Sequence, residues 1–234
     1  RALRARYRTS SGVVLLSKAT RESLLRWVHE LRDETHEGVP LAARSAFPAA
    51  SDEAALVIYA DAAGDSDGAG YCAWTVAGGE LLLVEGRWSA CEREHLLICD
   101  LELAASTFGL IALQGAVGRE FVYSYTDNTV AMAAMRNLTP STACMQALTA
   151  ERSAWLLERG VVEACERITS KANLWADMGS RARVGELMAQ AESLGLSVRR
   201  VETPPEWRAA VAREAEAAAD LAAVSAELPL PPCC

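Results

Sequence analysis

Four acidic residues, Asp61, Glu102, Asp127 and Asp177, are the groups in this chain whose types and settings best suit chemistry. Asp61 closes the apolar run Ala55-Leu56-Val57-Ile58-Tyr59-Ala60 and is followed by Ala62-Ala63-Gly64. Glu102 interrupts the helical stretch Leu101-Glu102-Leu103-Ala104-Ala105. Asp127 ends the run 121–126 ahead of Asn128, and Asp177 stands in Asn173-Leu174-Trp175-Ala176-Asp177, ahead of Ser180-Arg181. A carboxylate at the end of a buried strand, or on a helix facing a sheet, is costly unless something positive pairs with it. No Lys or Arg lies in sequence beside Asp61 or Asp127. A shared metal site is the economical explanation, because carboxylates are hard oxygen ligands and magnesium, keeping several waters, needs only a handful of them. Taken singly, each residue has a plainer use: Asp127-Asn128 as a helix cap, Asp177 as a first-turn charge favoured by the helix dipole, Glu102 as an exposed helix residue.

The elements that must position these groups follow from periodicity and turn chemistry. Segments 56–60, 70–76 and 80–87 read as strands, the first two joined by the Gly/Asp/Ser-rich turn 64–69 and the next pair by Gly78-Gly79, a tight hairpin signal. One helix is predicted over roughly 94–113, with Leu97, Leu101, Ala104, Ala105 and Phe108 on one face. A strand at 121–126, a short helix at 129–136 and a longer helix from Pro140 or Ser141 to about 158, ended by Gly160, come next. A strand at 161–168 leads to Asn173, expected to cap the helix that carries Asp177. Beyond 183 a helix at 185–193, a candidate short strand at 196–201, the Pro204-Pro205 break and an Ala/Glu-rich helix at 206–227 complete the pattern. Ahead of 55, a helix from Ser17 or Thr20 to about 34, with Leu24, Leu25, Trp27, Val28 and Leu31 near helical spacing, precedes a linker marked by Gly38, Pro40 and Pro48. The chain thus divides into a leader, 1–50, a central domain, 51–183, and a C-terminal helical extension, 184–234.

Composition bounds the rest. The chain has 234 residues, 51% of them hydrophobic, enough for one large domain or a smaller one with extensions. No stretch approaches the ~20 apolar residues of a membrane span, so no membrane partner is expected. The start carries no signal peptide and no initiator Met, and the chain reads as a segment of a longer polypeptide. Seven cysteines, at 72, 91, 99, 144, 165, 233 and 234, form no Cys-x-x-Cys pair, and three His complete a poor set for structural zinc. They read as buried thiols of a reducing, intracellular compartment, cytoplasmic or nuclear, with Cys233-Cys234 given no role. A formal net charge of −8 argues against a free-standing nucleic-acid binder. The charge is uneven: Arg1, Arg4, Arg6, Arg8, Lys18, Arg21, Arg26 and Arg32 make the beginning basic, while 214–227 is acidic. Ser/His/Asp catalysis has little support, since His29 and His36 lie in the leader, His95 sits beside Glu94, and no Gly-x-Ser-x-Gly elbow occurs. Trp74, Trp88 and Trp155 are read as core residues rather than base-stacking platforms.

The strand 56–62 ending in Asp61, the Gly-rich turn 64–70, the Leu101-Glu102-Leu103-Ala104 helix, the pair Asp127-Asn128 and the run 173–181 occur in an order and spacing that resembles the ribonuclease H domain of retroelement reverse transcriptases, most closely the DIRS-like and pararetrovirus-like kind. The resemblance covers roughly 55–183. It implies an α/β, ribonuclease H-like fold: a mixed five-stranded sheet with helices on both faces, plus N- and C-terminal helical extensions. It implies a metal-dependent hydrolase that cuts the RNA strand of RNA–DNA hybrids during reverse transcription, using two Mg2+ ions for which Mn2+ can substitute. By the same resemblance Asp61 would bridge both ions, Glu102 and Asp127 would complete one site, and Asp177 would hold the other. Asn128, Asn173, Ser180 and Arg181 would contact substrate, with Arg181 either on a phosphate or capping its own helix end. The partners implied are the hybrid and an adjoining polymerase domain, to which the leader helix would be the connector. Two features depart from the family: the loop 169–173 has no His, leaving Lys171 as a partial substitute, and no basic protrusion lies between Pro140 and Gly160. The competing expectations are an inactive ribonuclease H-like binding or scaffold domain, and a DNA-acting nuclease or transposase of the same fold.

Overall fold

The computed structural model describes residues 48–50, 53–65 and 68–227. The expected leader helix and linker within 1–47, part of the Gly-rich turn at 66–67, and the Pro-rich end with Cys233-Cys234 lie outside the described residues. Three antiparallel neighbours come first: β1 (Ala55–Ala62), β2 (Gly70–Ala77) and β3 (Glu80–Arg87), the last two joined at Gly78 and Gly79, whose φ angles of 59° and 79° suit a type I′ hairpin. Then follow α1 (Ala90–His95), α2 (Ile98–Val117), β4 (Phe121–Thr126), α3 (Thr129–Asn137), α4 (Ala143–Arg159), β5 (Val162–Arg167), α5 (Leu174–Ser180), α6 (Val184–Ser193), β6 (Ser197–Arg200) and α7 (Pro205–Glu227). Strands β1, β4 and β5 run parallel, and β6 adds parallel to the outer edge of β3, giving the order β5-β4-β1-β2-β3-β6. The sheet is mixed and has one strand more than the five that the resemblance implies.

Side-chain alternation divides the sheet into two buried faces. Leu56, Ile58 and Ala60 of β1, with Tyr71, Ala73, Leu82, Val84, Val122 and Cys165, pack against α2, α3, α4 and α7. Cys72, Leu81 and Leu83 pack on the other face against Met178 of α5 and Val184, Leu187 and Ala191 of α6. Trp88 is buried in the first layer, Trp155 packs against it, and Trp74 packs against the second, in keeping with core roles.

Helix α2 is buried from Asp100 through Leu113, all round rather than on one stripe. At 20 residues and a mean hydropathy of 1.2 it is long and apolar enough to cross a membrane by length and composition, contrary to the expectation that no stretch comes close, but 78% of it is buried inside this fold. A central helix covered by a sheet on one side and helices on the other needs no polar face.

The structure differs from the predicted elements at three helix starts. The expected single helix over 94–113 is two, broken at Leu96, because each half is capped separately. Ser89 and Glu92 form a reciprocal capping box at α1, and the backbone N–H of Leu97 donates to Asp100 Oδ2 at 2.9 Å at the start of α2. Helix α4 begins after Thr142, whose Oγ1 accepts from Met145 N–H at 3.0 Å, rather than at Pro140. Asn173 makes no capping bond at α5.

The stretch expected as a C-terminal extension contributes α6, β6 and α7 to the same two layers, and the described residues from Pro48 to 227 belong to one compact unit. Helix α7 inserts Trp207, Val211 and Ala215 into the first layer. Its Arg208 donates to both oxygens of the fully buried Glu92, at 2.7 and 3.0 Å, with its guanidinium over the rings of Tyr71, Trp88 and Phe108. That pairing is what makes a buried glutamate tolerable at α1.

Candidate active site

Asp61 and Asp127 meet because β1 and β4 are parallel neighbours, with Tyr59 paired to Tyr125 in register, so that both strands finish at the same edge of the sheet. Glu102 reaches the same point from the second turn of α2, the helix lying across β1 and β2. One carboxylate oxygen from each of Asp61, Glu102 and Asp127 lies within 4.8 Å of the others. Asp61 and Glu102 are buried and Asp127 is half-buried.

The electrostatic cost of this arrangement is visible in two of the groups. Desolvation by burial pushes the Asp61 carboxyl from 3.8 up to about 7, aided by the charges of Asp127 and Asp177 and opposed by a hydrogen bond from Ser180 and by the Arg181 charge. Burial also holds Glu102 well above the usual carboxylate range, with Asp61 and Asp127 adding to it, against bonds from the Ala62 backbone and from Thr126. Among the described residues no Lys or Arg forms an ion pair with any of the three. Three carboxyl groups with no ion-pair partner among the described residues, offering hard oxygens within 4.8 Å of one another from three rigid elements, are the donor set of a divalent-cation site.

The fourth acid is placed differently. Asp177 lines the same cleft of about 480 Å³, together with Asp65, Ser170 and Arg181, but it is not within the 4.8 Å group. Its carboxylate instead accepts from Arg181 Nε at 2.7 Å and Arg183 Nη2 at 3.3 Å. Hydrophobic Leu96, Ile98 and Leu101, together with Arg93, also line the cleft.

Four further residues were expected at a substrate. Asn128 is the N-cap of α3, its Oδ1 accepting from the backbone N–H of Val130 and Ala131, both at 3.0 Å. Asn173 and Ser180 are fully buried and turned toward protein groups rather than the cleft. Asn173 Nδ2 donates to the carbonyl of Ala60 at 2.9 Å, tying the start of α5 to the strand residue before Asp61. Ser180 Oγ donates to Asp61 Oδ2 at 2.5 Å, tying the end of α5 to Asp61 itself. The helix is therefore pinned to β1 at both ends, by Asn173 on the backbone beside Asp61 and by Ser180 on the Asp61 carboxylate itself. Gly179 permits this approach, since a Cβ there would stand 2.2 Å from Cys72 Sγ. Arg181 alone of the four lines the cleft with its side chain. Sequence reasoning passed over Asp65 and Arg183. The doubled arginine in Arg181-Ala182-Arg183, four and six residues after an aspartate, is the signal that could have found the second.

No known family profile matches the sequence, and no curated protein matches it. Solved structures similar to it include RNase H1 from the halophilic archaeon Halobacterium salinarum, 11% identical over 56% of this chain and 98% of that one, with a TM-score of 0.44. The N-terminal RNase H domain of a Mycobacterium tuberculosis protein is 16% identical over 60% of this chain and 98% of that chain, at 0.43. LC11-RNase H1 in complex with an RNA/DNA hybrid is 14% identical over 58% and 99%, also at 0.43.

Proposed function

We propose that this protein is a divalent-metal-dependent ribonuclease H, hydrolysing the RNA strand of RNA–DNA hybrids, and that it works beside the polymerase domain of a retroelement reverse transcriptase. The observation that carries the reading is the convergence of Asp61, Glu102 and Asp127, from two strand ends and one helix, on a single point with no ion-paired Lys or Arg among the described residues. Asp61, Glu102 and Asp127 would hold one ion, and Asp61 with Asp177 a second. Bound there, Mg2+ or Mn2+ would supply an activated water and charge stabilisation at the leaving oxygen. The protein's part is to keep the three carboxylates preorganised: Ser180 and Asn173 fix Asp61, Thr126 lies against Glu102, and the α3 cap holds the turn that carries Asp127. Discrimination of hybrid from duplex DNA would rest on the 2′-hydroxyls of the RNA strand, read across the minor groove. With a net charge of −8 and only Arg152, which is buried, and Arg159 as basic residues between 138 and 160, the grip on the duplex would come largely from the adjoining polymerase region.

The test is cleavage of a labelled RNA–DNA hybrid, with duplex DNA of the same sequence alongside, in Mg2+, Mn2+, Ca2+ and EDTA. The expected result is RNA-strand cutting in Mg2+ and Mn2+ only, abolished by Asp127→Asn, with the variant's thermal stability unchanged or raised. Equal cutting of duplex DNA would move the protein to a DNA-acting nuclease of this fold. Hybrid binding without cutting in any metal would make it a scaffold, and cutting in EDTA would defeat the metal reading.

A further inference from the structure

Asp177 is held by two arginines at once. Arg181 donates through Nε to Oδ1 at 2.7 Å, and Arg183 through Nη2 to Oδ2 at 3.3 Å. On its other side Arg181 reaches Asp65, with Nη1 at 3.3 Å from each carboxylate oxygen. Ala182, between the two arginines, has a left-handed φ of 67°, and this turn folds both side chains back onto the helix they follow. Asp65, Asp177 and Arg181 line the same cleft as Asp61, Glu102 and Asp127.

We propose that Arg181 is a resident counter-ion: it bridges Asp177 and Asp65 in the metal-free protein and lets go of Asp177, keeping Asp65, when a divalent cation takes the Asp177 carboxylate. The proposal rests on the reading of the cleft as a divalent-metal site. A guanidinium cannot lose its proton, so it can stop competing with a cation only by moving away. Movement is cheap here because the pairs are open to water, with side-chain exposures of 44% for Arg181, 33% for Asp177 and 71% for Asp65. Asp65 gives the departing guanidinium a second carboxylate within the reach of the same side chain, so the charge is never left unpaired. Among the described residues no Lys or Arg is ion-paired with Asp61, Glu102 or Asp127, and Arg181 acts on Asp61 only through its charge, without contact. The two positions should therefore load unequally, the trio first and the Asp177 position later and more weakly, for a reason built into the protein rather than into the ions.

The experiment is calorimetric titration of Mn2+ into the full chain without substrate, with electron paramagnetic resonance counting bound ions. Wild type should show a tight and a weak class. Arg181→Gln should tighten the weak class roughly two- to five-fold, the span of an exposed ion pair, and leave the tight class unchanged. Asp65→Asn should loosen the weak class in wild type and do so much less in the Arg181→Gln background, a coupling that simple loss of a surface charge would not produce. Thermal melts of each variant show that it folds. A weak class that is unchanged or looser in Arg181→Gln overturns the proposal, as does a single class of sites in wild type. Loss of the tight class in Asp127→Asn would, in either case, leave the metal reading of the trio standing. A wild-type chain that binds no Mn2+ defeats both.

Discussion

Replacing Asp61 by Asn should stabilise the metal-free protein, by an amount that depends on pH in a defined way. Burial and the neighbouring carboxylates raise the Asp61 carboxyl from 3.8 to about 7. A carboxyl whose folded value lies above its unfolded value favours the fold while neutral. That contribution is fully present below about 4, is lost as pH rises through about 7, and is absent above it. At 1.36 kcal/mol per unit, the shift sets a ceiling of ~4 kcal/mol on the cost of the ionised wild-type side chain at pH 8. The residue is 5% exposed, so solvent screening takes little of this away. The Asn Oδ1 can still accept from Ser180, while the new amide N–H groups face carboxylates that can accept from them. An imperfect fit of those bonds leaves an expected net gain of ~1–3 kcal/mol. Urea unfolding in EDTA from pH 4.5 to 8.5 measures it: the difference between variant and wild type should be small at the acidic end, grow through pH 7 and then level. Added Mg2+ should stabilise the wild type at pH 8, by mass action on the folded state, and leave Asp61→Asn nearly unaffected. A variant less stable than wild type at pH 8, or a difference that does not vary with pH, would refute the reasoning.

The remaining predictions concern what holds the site's scaffold together. Arg152 is 2% exposed and donates to Glu163 of β5 through Nε at 3.2 Å and again through Nη2, and to Thr107 of α2 at 3.1 Å. Arg152→Met strands a buried glutamate and should cost ~3–5 kcal/mol in urea unfolding, much of it recovered by adding Glu163→Leu. Gly179→Ala drives a methyl against Cys72 and should cost ~1–3 kcal/mol. Because it pushes α5 away from the sheet at β2, and with it the Ser180 bond to Asp61, it should also weaken Mn2+ binding, which a purely local packing loss would leave alone.

Much of the sheet was legible in the chain itself. Alternation in 55–62, the Gly78-Gly79 turn, the apolar run 121–126 and the Gly160 stop all act over a few residues, so their consequences are local and survive folding unchanged. Asp61 and Asp127 could be recognised as strand-end carboxylates for the same reason, and Asn128 as a cap because its partners are two and three residues away. What the sequence could not decide is where partners distant along the chain would meet. Asn173 has the local signature of a cap, yet its amide is taken by the Ala60 carbonyl, 113 residues earlier, because α5 packs across the end of β1. Ser180 reads as a motif residue and becomes the hydrogen-bond donor that holds Asp61. The Ala/Glu-rich segment 206–227 has little to distinguish it from a free helix until Arg208 meets Glu92, 116 residues away, inside an aromatic enclosure. Asp177 was read as a fourth metal ligand; it lines the cleft, but the turn at Ala182 gave its charge to two arginines instead of to the trio. Local patterns set the elements and their order, because hydrogen bonds and side-chain periodicity within an element depend on near neighbours. The pairing of buried charges waits for the tertiary structure, because only packing decides which carboxylates lose water and which cations lie close enough to replace it.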